Sequence, residues 1–246
     1  MVGDNLAYVF LNNGFLESNN KDIGRYSHDT LPDYYATTFR FNNPKFKNSY
    51  FILQNEEIER SKDKFDKCVQ FVSVEDELAN TDEFKEVSDV LKQEWPRYLN
   101  DPFWYNTFIR IVLLAIFQMK TNQPNLIHIE ADNLIFGTEF RGIFDTYESG
   151  EFGFPNERAS ASAPAFMFLK DDVSGANLLD MILTLLKKGE SAISPYAGWL
   201  HSWVTDMAFL DIISRSGMNY KMLPCSPIGY YSQNVESIGY VFDPTS

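Results

Sequence analysis

The chain reads as an α/β protein, a mixed sheet flanked by helices and folded as a single domain. Three observations predict this. Apolar runs too short to be anything but buried strands recur along the sequence, and helix-spaced apolar patterns fall between them. One run, Leu126 to Glu130, ends on two acids a single residue apart, Glu130 and Asp132, where α/β folds place ligands.

The strand-like runs are Leu6 to Leu11, Tyr50 to Gln54, Val69 to Val74, Leu126 to Glu130 and Ala165 to Leu169. Phe84, Val87 and Leu91 repeat at helix spacing, and Asp101-Pro102 supplies an N-cap and a first-turn proline for a helix from Phe103 to Met119. A third helix, Asn177 to Lys188, gathers Leu178, Leu179, Ile182, Leu185 and Leu186 on one side and stops at Gly189. A fourth runs from Thr205 to Arg215. Gly137 to Arg158 and Ala159 to Pro164 read as working loops, because they are small, polar and without periodicity.

At 246 residues and 44% hydrophobic, the chain is long enough to bury a sizeable core. Its net charge of −13 argues against holding nucleic acid or anionic lipid by bulk electrostatics. Cys68 and Cys225 are the only cysteines, which indicates no disulfide framework and a reducing compartment, so a cytoplasmic location is expected. The first residues do not form a signal peptide. Phe108 to Phe117 is interrupted by Arg110 and is too short to span a bilayer, so it reads as a buried helix.

Along an extended chain, Glu130 and Asp132 point to one side and can face a cation or polar ligand together; the alternative is a solvated strand end. Hard cations such as Mn²⁺ or Mg²⁺ suit carboxylates. Arg110 lies within the most apolar helix and requires an anion, either a ligand phosphate or one of the many acids. Asn12-Asn13-Gly14 follows the first strand, and its amides could read a base or ribose, although the same triplet is ordinary turn chemistry. Asp206 opens a helix after Trp199 and Trp203; it is either a helix-end carboxylate or a base within reach of an acceptor hydroxyl. His28, His128 and His201 lack zinc spacing, and His128 reads as a strand residue with a hydrogen-bonded ring. His128-Ile129-Glu130 with Pro224-Cys225 partly matches a zinc-deaminase signature, but Ile228 stands where the second cysteine is needed. No nucleophile elbow, phosphate-loop or dinucleotide fingerprint is present.

Taken in order, the opening strand with its Asn-rich turn, Tyr50-Phe51-Ile52-Leu53-Gln54-Asn55, the Arg-bearing helix and Ile129-Glu130-Ala131-Asp132-Asn133 resemble the GT-A class of nucleotide-sugar glycosyltransferases. The resemblance covers nearly the whole chain, with Glu replacing the first Asp of the Asp-x-Asp motif. It implies a GT-A-like, Rossmann-like domain over 1–246, with a nucleotide-binding half to about residue 133 and an acceptor-binding half from about 134.

The implied reaction transfers a sugar from a nucleoside diphosphate donor to a carbohydrate or other hydroxyl acceptor, assisted by Mn²⁺ or Mg²⁺. Asp132 is the implied metal ligand, and Asp243 stands in for a late ligand. Glu130 would contact metal-bound water or ribose; Asn12 and Asn55 would lie beside the nucleoside. Arg110 would meet the donor phosphates, Trp199 and Trp203 would stack on sugar, and Asp206 would act as base. A noncatalytic sugar- or nucleotide-binding domain, or a metal-dependent hydrolase, is the alternative. The ending Tyr240-Val241-Phe242-Asp243-Pro244-Thr245-Ser246 is consistent with a domain excised from a longer chain.

Overall fold

The computed structural model describes residues 6–12, 48–64, 69–99, 102–130, 141–158, 161–162, 166–193, 206–216 and 218–223. Its sheet contains β1 (Ala7–Asn12), β2 (Asn48–Leu53), β3 (Val69–Ser73), β4 (Leu126–Ile129), β5 (Phe152–Arg158), β6 (Ala161–Ser162), β7 (Phe166–Leu169) and β8 (Tyr220–Leu223). The order is β3-β2-β1-β4-β7-β5-β6, with β8 on β5. β1 lies between β2 and β4 and is parallel to both, while β7 runs antiparallel to β4. β1, β2 and β4 are largely apolar because both faces of the sheet are buried there. Ala7, Val9 and Leu11 join one core with Tyr50, Ile52 and Leu126; Leu6, Tyr8, Phe51, Leu53, Ile127 and Ile129 join the other.

Helices pack against both faces. They are α1 (Asn55–Ser61), α2 (Asp82–Glu94), α3 (Pro96–Leu99), α4 (Pro102–Thr121), α5 (Arg141–Phe144), α6 (Asp172–Leu186), α7 (Glu190–Ile193) and α8 (Asp206–Ser216). α4 packs on α6 and α8 as well as on the sheet, so a helix apolar nearly all round is the sequence that fits there. A Cβ on Gly175 of α6 would lie 2.7 Å from the Ala115 carbonyl oxygen of α4, so the glycine permits this close approach.

α6 begins earlier than its apolar spacing predicts. Asp171 accepts the Ser174 N–H at 3.0 Å while Ser174 Oγ accepts the Asp171 N–H at 3.1 Å, closing a capping box ahead of the apolar stripe.

The segment read as a loop from Gly137 to Arg158 instead contributes α5 and β5, and Ala159 to Pro164 contains β6. Phe-Gly-Phe-Pro at 152–155 hides a strand because glycine and proline normally interrupt one. Here Gly153 is required. A Cβ at that position would fall 2.1 Å from Tyr147 Oη and 2.7 Å from the Lys221 carbonyl oxygen. Phe144 of α5 stacks on Phe168 with ring centroids 4.2 Å apart, covering the second face.

Candidate functional site

The connections from β1 through β2 to β3 proceed outward on one side of β1, and the chain then crosses back to form β4 on the other. This reversal makes the carboxyl ends of β1 and β4 the switch point of the sheet, the position at which open α/β sheets take ligands. Asn12 ends β1 and pairs with Leu53 of β2; Glu130 immediately follows β4.

Strand alternation places Leu126 on the face covered by α4 and Ile127 and Ile129 on the other, which assigns His128 and Glu130 to the side of Leu126. There α4 presents Arg110. Its Nη1 donates to Glu130 Oε1, and its Nη2 donates to Asp206 Oδ2 at 3.1 Å. One guanidinium therefore joins the end of β4 to the start of α8, across 96 residues between Arg110 and Asp206. The side chains of Arg110 and Glu130 are 17% and 19% exposed and that of Asp206 is 5% exposed, so Arg110 and Glu130 form the accessible lip and Asp206 the floor.

Burial opposes the Arg110 charge, but the two carboxylates outweigh it and raise its pKa. Asp206 Oδ1 also accepts the Met207 N–H at 2.9 Å, so both carboxylate oxygens have partners. The structure brings Asp206 and Glu130, far apart in sequence, onto one arginine.

His128 is a member of this cluster that the sequence reading treated as structural. It is 1% exposed, and its Nδ1 lies 3.1 Å from the Val9 carbonyl oxygen. A carbonyl only accepts, so Nδ1 carries the proton and Nε2 is an acceptor. Burial, reinforced by the Arg110 charge and only partly countered by the Val9 bond, lowers the ring pKa to about 3. Nε2 has no partner among the described residues, and neither does Arg110 Nε. The available signal was spacing: two residues before Glu130 on a strand is the same face.

Asn55 opens α1 just beyond β2, at the same sheet edge. Its N–H donates to Glu75 at 2.9 Å and its side-chain amide to Asp76 at 3.0 Å. Trp199, Trp203, Asp132 and Asp243 lie outside the described residues. Among the described residues, no group of three or more His, Cys, Asp or Glu is arranged to hold a metal. Glu130, the described member of the acid-x-acid pair, is already bound to a cation, so the described donor set does not fit a metal ion.

No family model matches the chain, and no curated protein sequence matches it. Among solved structures, it is similar to a nucleotidyl transferase from Methanothermobacter thermautotroptrophicus, at TM-score 0.45 and 9% identity over 92% of this chain and 90% of that one. A 4-diphosphocytidyl-2C-methyl-D-erythritol synthase from Anaerococcus prevotii matches at TM-score 0.39 and 8% identity, over 90% of this chain and 87% of that chain. The CTP:phosphocholine cytidylyltransferase of Streptococcus pneumoniae matches at 0.34 and 12% identity, covering 89% and 90%. Likeness this loose transfers no residue role. The mixed, Rossmann-like architecture rests on the strand order itself.

Proposed function

We propose that the chain binds a nucleoside diphosphate at the switch point between β1 and β4 and transfers a group from it, with a nucleotide sugar as donor and a carbohydrate or other hydroxyl as acceptor. The observation that carries this reading is the Glu130–Arg110–Asp206 cluster, three charges gathered at the sheet edge where α/β proteins take ligands. Burying such a group costs several kcal/mol per ion, roughly, and well-packed apolar residues would often be as stable, so its retention there favours a role beyond packing.

In this reading Arg110, on the lip, supplies positive charge to the donor phosphates, and Glu130 contacts ribose. Asn12 and Asn55 flank the nucleoside from the ends of β1 and β2. Asp206 takes the proton from the acceptor hydroxyl as its oxygen bonds to the sugar carbon. The sugar–phosphate bond breaks, and its electron pair leaves on the diphosphate. Trp199 and Trp203 would hold the acceptor. A divalent cation at Asp132 and Asp243 is part of the proposal, and none of these steps depends on it.

The engagement of both Asp206 oxygens favours a second reading, a noncatalytic nucleotide- or sugar-binding domain in which the cluster only holds α8 to the sheet. Incubation with a panel of nucleotide sugars and simple acceptors, followed by assay of released nucleoside diphosphate, separates the two. Release with sugar transfer supports the enzyme. Binding without release selects the noncatalytic domain, and neither binding nor release removes the nucleotide proposal. Formation of a nucleotide sugar from a nucleoside triphosphate and a sugar phosphate would reassign the reaction to nucleotidyl transfer.

A further inference from the structure

Two buried polar atoms of this cluster have complementary needs. Arg110 Nε–H can only donate and His128 Nε2, with Nδ1 committed to Val9, can only accept; neither has a partner among the described residues. Buried groups of this kind are nearly always satisfied. They also lie on the same side of the sheet. His128 and Glu130 stand two residues apart on one face, about 6.6 Å along a strand, and Arg110 is bonded to Glu130. The Arg110 charge also acts on the His128 ring. A direct bond between the two nitrogens is not formed among the described residues, and one oxygen that both accepts and donates would meet the needs of both.

We propose that Arg110 Nε and His128 Nε2 form a socket for a single O–H group, which accepts from the guanidinium and donates to the imidazole. A neutral hydroxyl fits both atoms. A cation would face the arginine, and a carboxylate or phosphate oxygen without a proton would leave Nε2 unmet. The oxygen is either a resident water or a hydroxyl of the bound ligand, a ribose or sugar hydroxyl in the reading above. The second source rests on that reading, and the first stands without it. In both cases His128 is a binding residue fixed in one tautomer by Val9.

The test is NMR of the intact chain with isotope-labelled histidine and arginine at neutral pH, recorded alone and with a mixture of ADP, GDP, CDP and UDP. His128→Gln assigns the ring; if it does not fold, His28→Gln and His201→Gln assign it by elimination. The expected result is a ring protonated at Nδ1 whose Nε2 resonance is shifted to the hydrogen-bonded position. A shift already present in the free protein identifies resident water, and one appearing only with nucleotide identifies a ligand hydroxyl. Nε2 at its unbonded position in both samples, or protonated at Nε2, overturns the socket. Coupling transmitted directly between Arg110 Nε and His128 Nε2 also overturns it, since the nitrogens would then bond each other. Amide shifts in the same spectra report nucleotide binding independently, so failure of the socket and failure of the nucleotide reading are distinguishable.

Discussion

Removing the shared arginine should be more damaging than removing the aspartate it holds. At the observed 3.1 Å, and with an effective dielectric constant of about 20, the Arg110–Asp206 attraction is about 5 kcal/mol before desolvation is subtracted. Two carboxylates on one guanidinium stand roughly 6 Å apart and repel by about 3 kcal/mol at the same dielectric. Asp206→Asn loses the attraction and relieves the repulsion, leaving a neutral Arg110–Glu130 pair at a net cost of about 2 kcal/mol.

Arg110→Met keeps the apolar bulk but leaves two buried acids facing each other, for which a loss of roughly 3–5 kcal/mol is expected. For a chain of this size the corresponding drops in Tm are roughly 4–8 °C and 6–20 °C. Urea unfolding of both variants at neutral pH, with slopes checked for equality, gives the comparison. Equal losses in the two variants, or an Arg110→Met protein as stable as the parent, would refute the reasoning.

Three further outcomes are expected. Stability should fall as pH drops below 6.5 toward about 3, by up to about 1.4 kcal/mol per pH unit, because the unfolded chain protonates His128 in that window and the folded chain does not. Glu151 and Asp171, held below the usual carboxylate range by hydrogen bonds that outweigh burial, act with the same sign but nearer pH 4, so the slope between pH 5 and 6.5 belongs largely to His128 and should vanish in His128→Gln. If Asp206 is the base, Asp206→Asn should lose about 10² to 10⁴ in turnover with donor affinity within a few fold, read from kcat and KM on the best nucleotide sugar; near-normal turnover reduces it to an ion-pair partner. Calorimetry with a nucleoside diphosphate should show tighter binding in Mn²⁺ than in EDTA, a strong loss in Asp132→Ala and a milder one in Glu130→Ala; equal affinity in EDTA would remove the metal from the proposal.

β1, β2, β4 and β7 were legible because burial on both faces makes them largely apolar runs. β5 and β8 were not. Gly153 and Pro155 mimic a loop, and Tyr220 to Leu223 mixes half-buried, exposed and buried positions without alternation. At the site, the cost of burying a guanidinium was enough to require an anion for Arg110. Which anion was not legible, because periodicity assigns residues to helix faces but does not say which helix end meets which strand end. The meeting of Asp206 with Arg110 depends on how α8 packs across α4, a tertiary fact with no local signal. His128 was passed over because an isolated histidine in a buried strand is usually structural, and only its place beside Glu130 on the Arg110 side draws it into the cluster.

The central claim, that nucleotide binds at the switch point, is tested most directly by mapping amide chemical shifts while titrating the labelled chain with nucleoside diphosphates. The account predicts that the largest changes fall on Leu11, Asn12, Ile129 and Glu130, at the carboxyl ends of β1 and β4, and on Asp206 and Met207 at the start of α8. Changes centred on the opposite edge of the sheet, around Asn48 and Asn125, or no saturable change with any of the four nucleotides, would contradict it.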